Sequence, residues 1–196
     1  MNFCVFQGTF NPIHNAHLRV ANYVCDKFGF EKILFIPAYE PPHKSYNPDL
    51  TAHRYRMVEL AIQSNKNFEI SDIEYKRKGK SYTYLTISEL YKNLKIEEKI
   101  GFIIGTDAFK NIETWYETDK LKKLVKFIVF IREDKFNISD YNYLKEKGYD
   151  FEFQPLPYEN ISSTGLRKKI ESGEDISNLV PSQVKEYIEE NELYKN

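Results

Sequence analysis

The sequence predicts an α/β fold in which helices cover both faces of a doubly wound parallel sheet. Four short runs of the chain are almost entirely apolar, and segments with helical periodicity separate them. Runs that are apolar at successive positions suit strands that are buried on both faces, as in a parallel sheet between two helix layers. The alternation of strand and helix along the chain is typical of the doubly wound arrangement.

The strands and helices follow one another from the amino terminus. The predicted strands are the apolar runs 3–6, 33–36, 102–104 together with Ile100, and 127–131. Apolar residues at helical spacing predict helices over 18–28, 57–62 and, less regularly, 85–94. In this architecture ligands lie beyond the carboxyl ends of the strands. We therefore expect the loops after Phe6, Ile36 and Ile104 to converge on one crevice.

The last part of the chain is predicted to be helical. Ser163 is a candidate cap of one helix, Gly173 is its expected stop, and Pro181 is expected at the start of a final packing helix. We expect residues 1–196 to form a single domain, with a helical C-terminal subregion over about 161–196. The basic run 76–80 is expected to be a solvated hairpin rather than a phosphate clamp.

Composition narrows the class of protein. The chain has 196 residues, 28 basic and 29 acidic side chains, and a formal net charge of -1, which does not favour binding to nucleic acid or to a membrane surface. The first residues lack a basic leader, so we expect a cytoplasmic protein without a signal peptide or membrane span. Cys4 and Cys25 lie in apolar patterns and are expected to be core thiols. The oligomeric state is left open.

The segment "FQGTFNPIHNAHL" at residues 6–18 is the first candidate site. Gly8 lets the backbone approach a ligand closely, and His14 and His17 lie on one face at the start of a helix. A metal site, an acid/base pair, a phosphate clamp and an ordinary helix start are all compatible with this pattern. A zinc site would need a third ligand such as His43 or Asp107, and the usual metal spacing is missing.

A second helix start, "ISSTGLRKKI" at residues 161–170, favours the phosphate clamp. It brings the hydroxyl groups of Ser162, Ser163 and Thr164 together with Arg167 one turn later. Hydroxyl groups, free backbone N–H groups and a guanidinium group form an anion site that suits a polyphosphate.

These two segments also carry a resemblance to a known family. "GTFNPIHNAH" is similar to the GxFxPxHxGH signature of the nucleotidyltransferase superfamily, and "ISSTGLR" matches its ISSTxxR motif. The segments "PAYEPPHK", "SYTYLT", "IIGTDAFKNIETWYE" and "LVPSQVKEYIEENELY" resemble the bacterial nicotinate mononucleotide adenylyltransferases. The resemblance implies a Rossmann-like nucleotidyltransferase fold and transfer of the adenylyl group of ATP to nicotinate mononucleotide, giving the dinucleotide and pyrophosphate. The nearest alternatives are a pantetheine phosphate adenylyltransferase and a catalytically silent ATP-binding sensor.

The resemblance also implies roles for individual residues. The expected catalytic residues are His14, His17, Lys44 and Arg167. The expected ATP contacts are Gly8, Thr9, Phe10, Gly105, Asp107, Ile161, Ser162 and Ser163. The expected mononucleotide contacts are Thr83, Tyr84, Trp115 and Tyr116, with Arg54 and Arg132 as candidates for its phosphate. Mg²⁺ is expected as cofactor, held mainly by the ATP phosphates rather than by protein ligands.

Several of these residues also have purely structural interpretations. Trp115 could be a core residue, Asp107 the N-cap of a short helix, and Tyr84 a packing residue. Arg54 and Arg132 could each be a surface arginine in an ion pair. These alternatives stay open at the level of the sequence.

Departures from the family pattern fall in the first segment. Gln7 and Ala16 stand where the family usually has Gly, and Asn11 stands where it often has Asp. We expect Gln7 to place a side chain beside the phosphate loop, and Ala16 to add a methyl group near the adenosine. Asn11 keeps a hydrogen-bonding shape without the charge. Because a phosphate monoester has a second pKa near ~6, the nucleophile is already an anion and needs no general base.

Overall fold

A computed structural model describes residues 2–42, 46–133, 135–155 and 161–195. The described residues form one sheet of six parallel strands in the order β3-β2-β1-β4-β5-β6. The strands are β1 (Phe3–Gly8), β2 (Lys32–Pro37), β3 (Phe68–Ile70), β4 (Ile100–Gly105), β5 (Val125–Ile131) and β6 (Phe151–Pro155). The longer helices are α1 (Asn15–Phe28), α2 (Asp49–Ile62), α4 (Thr83–Asn93), α8 (Ser163–Glu171) and α9 (Ser182–Glu190). The short ones are α3 (Ile73–Arg77), α5 (Thr106–Phe109), α6 (Thr118–Leu121) and α7 (Asn142–Glu146), with 3₁₀ turns at Ile112–Thr114 and Ile138–Tyr141.

The predicted doubly wound parallel sheet is confirmed, and its strand order positions the site. The strands β2 and β3 are added on one side of β1, and β4, β5 and β6 on its other side, so the strand order reverses between β1 and β4. Parallel sheets of this kind bind ligands at such a switch point. β1 pairs with β2 from Phe3 to Gly8, whereas its pairing with β4 covers only Cys4 and Val5. The carboxyl ends of β1 and β4 therefore separate and open a crevice between them.

Two apolar layers cover the two faces of the sheet. Successive side chains of β1 alternate between them, with Cys4 and Phe6 in one layer and Phe3 and Val5 in the other. The first layer contains the buried residues of α1, α2, α8 and α9, and the second contains those of α4 to α7. This double burial explains why the central strands are apolar at successive positions.

The sequence missed two strands, β3 and β6, which lie at the two edges of the sheet. β3 has only three residues, and β6 is buried at Phe151 and Gln154 with less buried residues between. Because edge strands are covered less completely, neither forms a continuous apolar run. The central strands were located correctly, with ends that extend one or two residues beyond most of the predicted runs.

Two local predictions were wrong. The basic run 76–80 is not a hairpin, because α3 continues to Arg77 and the chain then turns through Lys78 and Gly79, both with positive φ. The cap of α8 is Ser162 rather than Ser163, since the Ser162 hydroxyl oxygen accepts a hydrogen bond from the Gly165 N–H at 3.0 Å.

Three further sequence predictions concern the cysteines, membrane-spanning helices and the number of domains. Cys4 is a buried free thiol and Cys25 a partly buried one, as expected for core residues. Across the described ranges, no helix is both long enough and apolar enough to cross a membrane. The assignment of residues 1–196 to a single domain stays a prediction.

Candidate active site

The two histidines of the first segment lie together at the start of α1. His14 is the N-cap residue, and its backbone N–H donates a hydrogen bond to Nδ1 of His17 at 3.2 Å. The two rings are stacked with their centroids 3.7 Å apart. Because Nδ1 of His17 accepts this bond, a neutral His17 carries its proton on Nε2. The local fold therefore fixes one tautomer of His17, whose Nε2–H is a donor at the positive end of a helix.

His14 differs from His17 in its surroundings. Its side chain is buried, and desolvation together with the nearby positive charge of Arg132 lowers its pKa from 6.5 to about 3. In the described part of the chain, Nδ1 of His14 has no hydrogen-bond partner. His14 is therefore neutral at physiological pH and cannot donate a proton as a general acid there.

The second segment packs directly against the loop that leads into α1. The Ser163 hydroxyl donates to the Pro12 carbonyl at 2.9 Å, and the Arg167 guanidinium donates to the Asn11 carbonyl at 2.7 Å. Segments about 150 residues apart in sequence thus meet at the switch point of the sheet, as the predicted phosphate clamp requires. Ser163 uses its hydroxyl proton in this contact, so of the two serines Ser162 is the better placed hydroxyl donor for a ligand.

Arg54 holds two loops of the site together. Its buried guanidinium group donates to the carbonyl oxygens of Thr9, Ala38 and Tyr39 at 2.8, 2.6 and 2.9 Å. The alternative interpretation as a surface arginine in an ion pair is wrong, because the side chain is 2% exposed and its bonds go to backbone. Together with Arg167, Arg54 lines a cleft of about 210 Å³ whose other lining residues are Thr9, Asn11, Pro41, Tyr46, Asn47 and Leu50.

Phe10 occupies the space above Gly8. A Cβ atom at Gly8 would lie 2.9 Å from the Phe10 ring, so the missing side chain makes room for this ring. The ring is 2% exposed and packs edge-on against Phe6 and His17. Only the backbone of Phe10 is therefore available for the predicted ATP contact, and the close approach at Gly8 is made by Phe10.

A second cleft lies between the ends of β1 and β4. It is lined by His17, Gly105, Arg132 and Ile161, together with Phe6, Ala16, Val20, Ile103, Ile104 and Phe130. The structure thus brings four predicted site residues to one place, with the Ala16 methyl group in the same wall. Arg132, proposed for the mononucleotide phosphate, lies on the His17 side of the crevice.

Asp107 is not the N-cap that one interpretation expected. The helix α5 begins at Thr106 after the cap residue Gly105, so Asp107 lies within its first turn. Its carboxylate is exposed and forms an ion pair with Arg132 at 3.4 Å. The ion-pair alternative for Arg132 is therefore present in the structure, and Asp107 lies beside the second cleft.

The residues predicted for the pyridine ring form an aromatic surface around the start of α4. The Tyr116 ring lies over Tyr82 with centroids 4.7 Å apart and is 6.4 Å from the ring of Tyr84. Trp115 is partly buried and packs edge-on against Phe102 at 6.3 Å. Tyr116 is 47% exposed, which leaves an open aromatic face. Thr83 is the first residue of α4, so its backbone N–H and that of Tyr84 belong to the first turn.

Gln7 does not lie beside the phosphate loop as expected. Its side-chain amide points away from that loop. The amide NH₂ group donates to the Glu74 carboxylate at 2.6 Å, and the amide oxygen accepts from the Thr83 hydroxyl at 2.7 Å. β1 stays in register with β2 at this position, where Gln7 lies opposite Ile36. Sequence reasoning missed Glu74, for which the only signal was its place between apolar residues near the basic run.

Asn11 is held from two sides. Its carbonyl oxygen accepts from Arg167, and its side-chain oxygen accepts from the Tyr194 hydroxyl at 2.6 Å. Burial strongly raises the pKa of Tyr194, which keeps the phenol protonated as the donor. A neutral amide oxygen serves this contact, so the loop needs no carboxylate at position 11 for it. Tyr194 ends the segment "LVPSQVKEYIEENELY", but no sequence pattern links it to Asn11.

Some predicted residues cannot be placed. Lys44, and His43 as the candidate third zinc ligand, lie outside the described residues. Within the described ranges, no three His, Cys, Asp or Glu side chains come together as a metal-binding group.

Comparison with known proteins supports the same kind of function as the geometry of the site. The Cytidylyltransferase-like family matches residues 5–169. The nicotinate-nucleotide adenylyltransferase of Bacillus subtilis (strain 168) is 39% identical over 194 residues, covering 98% of this chain and 97% of its own. A probable nicotinate-nucleotide adenylyltransferase of Clostridium botulinum (strain Kyoto / Type A2) is 38% identical over 201 residues and covers 100% of both chains. The structure of Plasmodium falciparum nicotinic acid mononucleotide adenylyltransferase complexed with NaAD has the same fold, with a TM-score of 0.76, 23% sequence identity, and coverage of 98% of this chain and 97% of that chain.

Proposed function

Because the chain belongs to the nicotinate-nucleotide adenylyltransferases within the Cytidylyltransferase-like family, we propose that it transfers the adenylyl group of ATP to nicotinate mononucleotide. The products are nicotinate adenine dinucleotide and pyrophosphate, a step of NAD biosynthesis. The observation that carries the proposal is the contact of the α8 start with the α1 loop, through Ser163 to Pro12 and Arg167 to Asn11. This contact places two helix starts with phosphate-binding side chains at the switch point of the sheet.

The reaction is a displacement at the α-phosphorus of ATP. A phosphate oxygen of the mononucleotide forms a bond to this phosphorus, and the bond to the oxygen that bridges to the β-phosphate breaks. Since the attacking phosphate is already ionised, the site has to orient two anions and stabilise the charge that develops on the α-phosphate and on pyrophosphate. An imidazole N–H at a helix start suits this task, which supports His17 as the donor to the α-phosphate.

The remaining phosphates are assigned chiefly to the start of α8. Arg167, which lines the same cleft as Arg54, and the Ser162 hydroxyl at the cap of α8 would bind the β and γ phosphates. His14 and Lys44 are proposed to contact neighbouring phosphates, with His14 limited by its burial. Ser163 and Arg54 would act mainly by holding the loops, since their donors already bond to backbone carbonyls.

The polar groups around this cleft are amide, hydroxyl and guanidinium groups, which suit phosphate oxygens rather than a bare divalent cation. We therefore propose that Mg²⁺ is held by the triphosphate oxygens and water, and that it neutralises part of their charge when bound. The adenosine is assigned to the cleft of Gly105 and Ile161, with Asp107 at its edge, and Arg132 in the same lining stays proposed for the mononucleotide phosphate. The pyridine ring is assigned to the aromatic surface of Trp115, Tyr116 and Tyr84 near Thr83.

The test is pyrophosphate release in the presence of ATP, Mg²⁺ and a second substrate. We expect release with nicotinate mononucleotide, and nicotinate adenine dinucleotide as the product. Turnover with pantetheine phosphate but not with nicotinate mononucleotide would overturn the substrate assignment. Binding of ATP without any release would instead identify a silent sensor. A cytoplasmic location is proposed from the sequence, and fractionation of cells that express the chain would test it.

A further inference from the structure

The side chain of Gln7 connects β1 to the start of α4 through a buried carboxylate. Its Nε2 donates to Glu74 Oε1 at 2.6 Å, and its Oε1 accepts from the Thr83 hydroxyl at 2.7 Å. Glu74 is 1% exposed, so its oxygens depend on protein donors. Gln7 stands where the nucleotidyltransferase family that this segment resembles usually has Gly, a residue without the side chain that makes this connection.

The same carboxylate has further donors that fix its position. Glu74 accepts from the Thr86 hydroxyl at 2.5 Å and from the backbone N–H of Tyr39 at 3.1 Å. The Arg77 guanidinium lies 3.6 Å from the same Oε1 atom and donates to the Thr86 hydroxyl oxygen at 2.9 Å. Glu74 is thus held independently of Gln7, and it stays satisfied in large part when Gln7 is changed.

The direction of each hydrogen bond follows from the chemistry of the carboxylate. The Glu74 carboxylate lies beside the Arg77 guanidinium and accepts from its neighbours, so the NH₂ group of Gln7 faces Glu74 and its carbonyl oxygen faces Thr83. A carbonyl oxygen also only accepts. The hydroxyl proton of Thr83 is therefore directed to Gln7, and the Thr83 oxygen offers lone pairs to its other side.

We propose that Gln7 is a positioning residue that sets the specificity of the pyridine pocket by taking up the hydroxyl proton of Thr83. The proposal rests on the function proposed above, which assigns the pyridine ring to the surface near Thr83 and would bring the acid or amide group on the ring within reach of the Thr83 hydroxyl. With its proton held by Gln7, the Thr83 oxygen repels a carboxylate and accepts from a carboxamide NH₂ group. Recognition of the acid then depends on the backbone N–H groups at the start of α4, and the preference for nicotinate over nicotinamide mononucleotide is reduced.

The experiment compares kcat/KM for the two mononucleotides in the wild type and in Gln7→Met. Methionine keeps the length of the side chain and removes the acceptor, so the Thr83 hydroxyl can donate to the carboxylate. We expect the ratio of kcat/KM for the acid over the amide to rise about fivefold or more, as one added hydrogen bond to a charged group allows. Gln7→Gly should raise the same ratio without depending on how Met packs.

Two further variants test the mechanism of the effect. In a Thr83→Val background, Gln7→Met should change the ratio less than twofold, because the hydroxyl through which it acts is missing. Gln63→Met, on an exposed residue at the end of α2, is the matched control and should leave the ratio unchanged.

The outcomes separate this inference from the proposed function. A ratio within twofold of wild type in both Gln7→Met and Gln7→Gly would overturn the inference and make Gln7 a purely structural link. A fall of kcat/KM by the same factor for both mononucleotides would lead to the same conclusion. If the wild type releases pyrophosphate with neither mononucleotide, the proposed function itself fails.

Discussion

The proposed phosphate-binding side and the proposed pyridine-binding side of the site, called below the phosphate side and the pyridine side, are held in place by different means. On the phosphate side, the loop before α1 and the start of α8 are joined by hydrogen bonds to backbone carbonyls, and Arg54 joins the same loop to the loop after β2. On the pyridine side, partly exposed aromatic rings lie around the start of α4, and Tyr116 is 47% exposed. The comparison indicates that the phosphate side is preorganised for charge, while the pyridine side provides contact area.

The largest expected effect concerns the rigidity of the phosphate side. Arg54→Ala would leave the carbonyl oxygens of Thr9, Ala38 and Tyr39 without their charged donor in a buried place. We expect the free energy of unfolding to fall by about 3 kcal/mol or more, since each bond to a charged group contributes measurably. Urea unfolding of the purified chain measures this loss.

Arg56 provides the matched control on the same helix. It is exposed, and its ion-pair partner within the described ranges is Glu59 at the surface. Arg56→Ala should change the free energy of unfolding by less than about 0.5 kcal/mol. Equal losses in the two variants would show that Arg54 does not hold the loops as its geometry indicates.

The next effect concerns catalysis at His17. His17→Ala removes a preorganised N–H donor, and we expect kcat to fall by about a hundredfold or more, equivalent to ~3 kcal/mol of transition-state stabilisation. Steady-state rates of pyrophosphate release give kcat and KM separately. His53→Ala is the control, because His53 bonds to Tyr187 between α2 and α9. A rise in the KM for ATP with unchanged kcat would mean that His17 only binds the nucleotide.

This contrast also explains what the sequence could predict. The central strands were located because burial on both faces leaves a continuous apolar run. The phosphate side was predicted because each of its halves is a short local segment that supplies donors at a helix start. The hydrogen bond between Gln7 and Glu74 joins residues 67 positions apart, and the one between Asn11 and Tyr194 joins residues 183 positions apart. No pattern within a short stretch of sequence predicts such contacts. The position of Arg132 on the His17 side likewise depends on how the strand ends separate.

A smaller effect should appear in the pH dependence of stability. The pKa of His14 is about 3 in the folded chain, below its ordinary value of 6.5. As the pH falls below about 6.5, the unfolded chain takes up a proton at this site while the folded chain does not, so acid favours unfolding. Between pH 7 and pH 4.5 the wild type should lose about 2–3 kcal/mol more stability than His14→Gln.

Urea unfolding of both proteins at the two pH values measures this difference. The carboxylates titrate in both proteins, so their contribution cancels in the comparison. Equal losses in the wild type and in His14→Gln would mean that His14 is not held neutral by its buried place beside Arg132.

The smallest expected effect lies on the pyridine side and sharpens the contrast with His17. Tyr116→Ala removes a ring that is 47% exposed from the aromatic surface, where it contacts the rings of Tyr82 and Tyr84. Stacking of one ring contributes about 0.5–1.5 kcal/mol, so we expect the KM for nicotinate mononucleotide to rise roughly twofold to tenfold with kcat nearly unchanged. Tyr116→Phe keeps the ring and should retain the wild-type KM. If Tyr116→Ala lowers kcat instead, the pyridine side takes part in aligning the reacting phosphate, and the division between the two sides does not hold.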